Sequence, residues 1–567
     1  MPLYYTVRVD ARAHLYHVEA RLEREAGGRV WVLPVWTPGS YVRRDYAGFV
    51  ARVTAEVDGA AARVHKRDKT TWVLDRGGST VCVRYSVYAH ELTVRTSFLD
   101  DRHGYINGAA LFVYPEDGTA IGGQIRFGLP EGWSVYSALP AAADADLAFQ
   151  DIDELIDSPI ELGTPQVRTV VVDGVPHDMV LCGAGSLDLD RMTEDLPSLV
   201  EAARSVFGSP LPYPRYVFLI HQTGKGGGGL EHRASTSLQF PRFGVSPQEA
   251  RRRFLGLVAH EYFHLWNVKR IHPAALGPFD YQHEVYTETL WLMEGGTDYY
   301  AAILLGRSGL VPVTEVLETL ATRLGRSESR PGNLVQSLAE SSFDAWIKLY
   351  RPHPGTPNLT VSYYEKGSLV AWLLDLELRR LTEGTASLDS LLRTLWARYP
   401  DGFPEDAPAA LVRELGGEPA LRYLERALEM PAPLDLSPLQ GVGLRFAEEP
   451  AEAWPDTGME VAGDGIPAEV RFVRAASPAE AAGLSPGDRL LALDGFELGR
   501  GGLTDRLRWY APGDAVTVQF FRDGVLSQRR LLLGEPRPQK PRLVPRDGVS
   551  TEEKAAFAAW MGQPYPF

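Results

Sequence analysis

The sequence predicts a multidomain α+β protein: an all-β N-terminal domain, a mixed centre that turns helical, and a small β-rich C-terminal module. Three observations carry this. Residues 1–165 are a succession of strand-like runs with few helical patterns, helical spacing takes over after Ser246, and short strand-like runs resume beyond the Pro-bearing segment MPAPLDLSPLQ. A chain of 567 residues is long enough for several such domains.

In residues 1–165 the runs YTVRVDA, LYHVEARLE, VWVLPVW, TTWVLD and VCVRYSVYA are rich in β-branched and aromatic residues. They alternate in part and are broken by Gly, Asp and Pro, as a β-sandwich-like domain requires. Residues 166–432 form the second predicted domain. It opens with VRTVVV and DMVLC, passes through an amphipathic helix in LDLDRMTEDLPSLVEAARSVFG, and sets the glycine run GKGGGGLEH between YVFLIH and STSLQF. The helical stretches around HEYFH, WLMEGG and YYEKG follow, so a strand-containing half precedes a helical half. Residues 433–535 read as a compact unit with VRFVR, LLALDG, VTVQFF and LLLG, and 536–567 as a Pro- and charge-rich extension ending in one short helix.

Composition narrows the function classes. Hydrophobic residues make up 44% and charged residues 23%, the balance of an ordinary folded chain. With 58 Lys plus Arg against 73 Asp plus Glu, the formal charge of −15 argues against a nucleic-acid partner and against anionic membrane surfaces. The first residues lack the basic start and apolar run of a secretory signal, and no apolar run reaches the length of a membrane span. Two cysteines, Cys82 and Cys182, fit a reducing compartment, so a cytoplasmic location is expected.

HEYFH at 260–264 is the sharpest chemical signal. Ser246-Pro247-Gln248-Glu249 fits a capping box with Pro at the first helical position, and Phe254, Leu257, Val258, Leu265 and Val268 give an apolar face. In a helix His260 and His264 project from one face, so both imidazoles can reach one cation, and Glu261 can sit beside its water. Two imidazoles, a carboxylate and an open water position make a catalytic zinc arrangement. A later helix should supply the third ligand. By spacing Glu284, Glu288 and Glu294 all qualify, and Asp298, one turn beyond Glu294, could accept the free N–H of a ligand imidazole.

HEYFHLWNVKRIHP, WLMEGGTDYY, YYEKG, the N-terminal WTPGSYVRRDYAGF and GGLEH together resemble the glycyl aminopeptidase family, PDZ-bearing zinc peptidases, over nearly the whole chain. The resemblance implies a thermolysin-like catalytic core and selects Glu294 as the third ligand; with three ligands identifiable and no second ligand cluster legible in the sequence, one zinc per chain is expected. The resemblance implies that Glu231 pairs with the α-ammonium of a peptide substrate, with Gly228, Gly229 and Leu230 binding substrate main chain. It also implies that Tyr364, with Tyr363 as the adjacent alternative, donates to the oxyanion while zinc polarises the carbonyl and Glu261 moves the proton.

SPAEAAGLSPGDRLLALDG resembles a PDZ domain, in which Ala481, Ala482 and Leu484 would pack a short helix and Gly483 would turn it. GVGLRF would be the groove-strand counterpart, and such a module can either bind an extended peptide by strand addition or serve only as packing. The function implied is removal of small N-terminal residues, Gly and next Ala, from peptides. Two rivals are an endopeptidase in which Glu231 reads no amine, and a PDZ-centred binding or chaperone protein with a vestigial zinc site. The presence of His260, Glu261, His264, Glu294 and Tyr364 weighs against the second.

Overall fold

The computed structural model describes residues 2–24, 27–208, 210–449, 454–462, 467–499, 502–537 and 540–567. They form two compact units: Met1–Thr287 with Tyr300–Val311 and Leu392–Glu405, and Glu288–Tyr299 with Pro312–Leu391 and Asp406–Phe567.

The first unit begins with a β-rich domain. Leu3–Asp10 lies inside a seven-stranded sheet, antiparallel to Leu15–Glu23 and parallel to Gly123–Gly128. Side chains alternate across a strand, so Leu3, Tyr5 and Val7 share one buried face with Tyr16, Val18 and Ala20. Two four-stranded sheets and the short helices Gly108–Leu111 and Ile152–Ile156 complete the domain. A five-stranded sheet follows, ordered Gln166–Val172, Val175–Cys182, Tyr216–Thr223, Ser235–Pro241 and Gly228–Glu231. The parallel pairing of Val175–Cys182 with Tyr216–Thr223 requires a crossover, which the helix Leu189–Phe207 supplies. Gly228–Glu231 ends the sheet, antiparallel to Ser235–Pro241.

The second unit is mainly helical. The π-helical turn Trp291–Gly295 leads into the helix Gly296–Arg307, of which this unit holds residues 296–299, and Val313–Glu328, Glu365–Leu381 and Ala407–Glu429 follow. A six-stranded sheet with its own core of Val470, Leu490, Val518, Phe520 and Leu531 occupies the C-terminal part. The chain is therefore multidomain α+β, with a β-rich N-terminal domain and helices dominating later.

Two local expectations are corrected here. In the one-turn helix Pro478–Ala481 it is Ala479, with Leu484, that is buried, whereas Ala481 is exposed and Ala482 only partly covered. Ser477 caps that helix by accepting from the Glu480 N–H, which turns Ala479 inward. The strand Leu444–Glu449 of GVGLRF pairs with Lys540–Pro545 as a separate ribbon and takes no place in the six-stranded sheet. The C-terminal extension thus folds back. Its helix Thr551–Met561 buries Phe557, Trp560 and Met561 completely. Both cysteines are free thiols, and among the described residues no helix is long and apolar enough to cross a membrane.

Candidate active site

HEYFH closes the helix Pro247–Phe263, with His264 at the cap still in helical conformation. The expected N-terminal signal is present in half: Ser246 accepts from the Glu249 N–H, but the Glu249 carboxylate pairs with Arg252 and Arg253 instead of closing the box. The helix packs against the strands Gly228–Glu231 and Ser235–Pro241, with Phe254 edge-on to Phe240. It ends at Phe263, so Leu265 and Val268 are buried from a turn, not from a continued helical face.

His260 and His264 turn their Nε2 atoms toward each other, 3.0 Å apart. His264 Nδ1 lies 2.8 Å from the Asn267 carbonyl oxygen, to which it can only donate, and that leaves Nε2 as the ring's lone-pair nitrogen. Beyond HEYFH, the Phe263 ring stacks on Tyr300 at 4.3 Å between centroids.

Glu231, Glu261 and His264 are all buried, and one polar atom of each lies within 4.8 Å of the others. Glycines make this crowding possible. A Cβ at Gly229 would overlap the Glu261 carboxylate. The edge strand that carries Gly228, Gly229 and Leu230 can therefore pass directly over the HEYFH helix.

The N-terminal domain enters here with Gly39, from the WTPGSYVRRDYAGF segment, and with Asp157, which no motif marked. In the turn Thr37–Ser40, Ser40 N–H bonds the Thr37 carbonyl, and Pro38 and Gly39 take the central positions. Gly39 has φ +84 and lies against the Glu231 carboxylate, where a Cβ would overlap it. Asp157, after the helix Ile152–Ile156, holds three parts of the site at once. It receives Lys269 Nζ at 2.6 Å, the Arg233 N–H at 2.8 Å and His232 Nδ1 at 3.2 Å. Burial opposes its charge, but the Lys269 ammonium and the His232 ring outweigh burial and hold the carboxyl well below the usual range. The sequence signal for Asp157 was absent, because its partners lie 75 and more residues away.

In the second unit Glu294 is buried within the π-helical turn Trp291–Gly295, a helix variant that recurs at functional sites. The rival Glu284 accepts from the Tyr286 hydroxyl at 2.6 Å and Glu288 is exposed. Asp298 is about a quarter exposed, and its carbonyl accepts from Arg323 at 3.0 Å. Tyr364 begins the helix Glu365–Leu381; burial and then the Glu294 carboxylate push its phenol up, so it stays protonated. Its hydroxyl is 3.2 Å from that of Tyr350. Tyr363 stacks on Tyr364 at 4.9 Å and is fully buried, whereas Tyr364 keeps some exposure.

Two segments of the chain match family models: residues 253–370 match the M61 glycyl aminopeptidase and residues 4–164 the peptidase M61 N-terminal domain. A solved structure from Idiomarina loihiensis, described as an aminopeptidase N family protein, superposes with a TM-score of 0.93 at 30% identity, over 99% of this chain and 100% of the other. The chain belongs to the M61 glycyl aminopeptidase family. It is a peptidase. An M1 zinc metallopeptidase from Deinococcus radiodurans superposes with a TM-score of 0.50 at 15% identity, over 77% of this chain and 94% of that one, and shares the fold. No curated protein sequence matches.

For an M61 peptidase the glycines of WLMEGG and YYEKG have a packing reason that their motifs do not disclose. A Cβ on Gly295 would meet the Gly367 backbone at 2.5 Å, and one on Gly367 would meet the Trp291 carbonyl oxygen at 2.8 Å. The two helical runs cross backbone to backbone, which sets Glu294 and Tyr364 side by side.

Proposed function

We propose that this M61 peptidase is a zinc-dependent aminopeptidase that removes small N-terminal residues, Gly and then Ala, from peptides. The observation that carries the reading is the closeness of Glu231 to Glu261 and His264, within 4.8 Å. A carboxylate so near the reacting centre leaves room for about one residue between the substrate's ammonium and its scissile bond. Small N-terminal side chains suit a site already crowded by Glu231, Glu261 and Gly229.

The donor chemistry fits zinc. Two imidazoles converge through Nε2, and the Asn267 carbonyl holds His264 in the tautomer that a metal needs. His260, His264 and Glu294 would hold one ion, and Asp298 would accept the free N–H of a ligand imidazole. When bound, zinc supplies Lewis acidity, lowering the pKa of a water and polarising the scissile carbonyl. Glu261 takes the proton from the attacking water and passes it to the leaving amine. Tyr364 donates to the oxyanion, a role that suits its protonated phenol and its residual exposure better than the buried Tyr363. Glu231 accepts from the substrate ammonium, and the main chain of Gly228, Gly229 and Leu230 pairs with substrate along the open edge of the sheet.

The domain reading is 1–165 for the N-terminal domain, 166–432 for a thermolysin-like catalytic domain, 433–535 for a PDZ module and 536–567 for the extension. Gly483 at φ +73 and the start of Arg489–Leu493 directly after Asp488 support the PDZ reading. Such a module can take an extended peptide. The expected setting is cytoplasmic.

Product analysis on one peptide with free and acetylated N-termini tests the assignment. Glu231→Ala is expected to lower kcat/KM on the free-amine form by about 10- to 100-fold, from a charge-assisted bond of about 1.5–3 kcal/mol. Metal content should not change. Glu261→Gln should keep its zinc and lose about 100-fold or more in turnover. Efficient cleavage of the acetylated peptide at internal bonds, unaffected by Glu231→Ala, would replace the aminopeptidase with an endopeptidase.

A further inference from the structure

The strands of the first unit bring together four side chains that take no part in the peptidase reading. Cys182 and His221 are direct partners on the parallel strands Val175–Cys182 and Tyr216–Thr223. Glu161 and His103 come from the antiparallel pair Ile160–Gly163 and His103–Ile106. His103 Nδ1 and Cys182 Sγ approach the same carboxylate oxygen, Glu161 Oε1, at 2.8 and 2.9 Å, and His221 Nε2 approaches Oε2 at 2.8 Å. The imidazoles of His103 and His221 stack at 5.6 Å between centroids. One possible ligand atom from each of the four lies within 4.8 Å of all the others.

We propose that His103, Glu161, Cys182 and His221 form a second metal site, one that takes a divalent transition ion of the zinc class. The donor set is two nitrogens, one sulfur and one carboxylate oxygen, and imidazole with thiolate selects zinc or cobalt over magnesium or calcium. Ligand bonds of about 2.0–2.3 Å place the corners of a tetrahedron about 3.5 Å apart, so the three pairs now held at 2.8–2.9 Å have to open by less than about 1 Å. Binding breaks the Cys182 S–H bond; its electron pair goes to the metal and the proton leaves to solvent.

Rigid strands present all four groups, and an entry path exists. His103, Cys182 and His221 line a cavity of about 440 Å³ together with Gln222. Gln222 is 2% exposed, lines the same cavity, and neither atom of its amide has a hydrogen-bond partner among the described residues. The site uses no residue of HEYFH and stands apart from the peptidase reading.

The full-length protein, stripped by a chelator and titrated with Co²⁺ alone, tests this. A second equivalent is expected, carrying a sulfur-to-cobalt charge-transfer band that the sulfur-free HEYFH site has no ligand to produce. Cys182→Ser should lose both the band and that equivalent while peptide hydrolysis persists, and His260→Ala with His264→Ala should keep the band. If Cys182→Ser does not fold, Cys82→Ser leaves Cys182 as the sole thiol, and Zn²⁺ should then protect it from a thiol reagent. A folded wild-type protein with no thiolate band and no Zn²⁺ protection leaves Glu161 a hydrogen-bonded acceptor and overturns the metal site.

Discussion

Gly39, on a turn of the N-terminal domain, lies directly against the Glu231 carboxylate, with no room for a Cβ between them. The N-terminal domain therefore shapes the group proposed to read the substrate's amine. Gly39→Ala should displace Glu231 and also strain a backbone held at φ +84. About a tenfold loss of kcat/KM on free-amine peptides is expected, mainly through KM, equivalent to about 1.4 kcal/mol. Combined with Glu231→Ala it should add little further loss, because both act on one contact. Fully additive losses would show that Gly39 acts elsewhere.

Gly367→Ala should force apart the helical runs that cross at Gly295 and Gly367, since the added Cβ meets backbone that has no flexible end to move. Overpacking of this kind costs about 1–3 kcal/mol, and activity should fall with stability. Tyr364→Phe should separate the two effects, keeping the melting temperature while lowering kcat. If Tyr363→Phe were the variant that lost kcat, the oxyanion role would move to Tyr363.

The C-terminal helix closes a buried chain of contacts. The Trp560 indole N–H donates to the Tyr299 hydroxyl at 2.8 Å, Tyr299 donates to Asp375 at 2.6 Å, and the Trp560 ring stacks with Trp372. Trp560→Ala should destabilise the protein by about 3–5 kcal/mol, read from denaturant unfolding. Removing residues 433–567 should yield a poorly folded chain. A truncated protein with wild-type stability would contradict this packing role.

Asp157 should tie stability to acid pH. Its folded pKa lies below the unfolded value of about 3.9, so its contribution is complete above that value and is lost as pH falls through the depressed one. Asp157→Asn should cost about 3 kcal/mol or more at neutral pH, because Lys269 is left buried without its partner. The variant's stability should then decline less on acidification than the wild type's. Parallel acid limbs would exclude Asp157 as their source.

Legibility differed by kind of signal. The strand runs of 1–165, the helical switch after Ser246 and the HEYFH helix were all readable, because hydrophobic period and capping act over a few neighbouring residues. The convergence of His260 and His264 was readable for the same reason, since a spacing of four places both histidines on one helix face. Packing inside the short Pro478–Ala481 helix was misread because one turn is too short for a period to show which face is inward. The pairing of Leu444–Glu449 with Lys540–Pro545 was equally hidden, as strand partners so far apart carry no local mark.

By itself the sequence determined the family and a multidomain α+β chain with its β-rich part first, and it singled out HEYFH, WLMEGG, YYEKG and GGLEH as the segments on which the proposed chemistry rests. Only the tertiary structure decided that Gly39 and Asp157 of the N-terminal domain buttress Glu231 and Lys269, and that Gly295 lets its helix cross Gly367. It also assembled His103, Glu161, Cys182 and His221 from separate strands. The reason is physical. Local spacing governs what one helix or strand presents, whereas a close approach or a buried charge cluster depends on which distant backbones the fold brings within van der Waals reach.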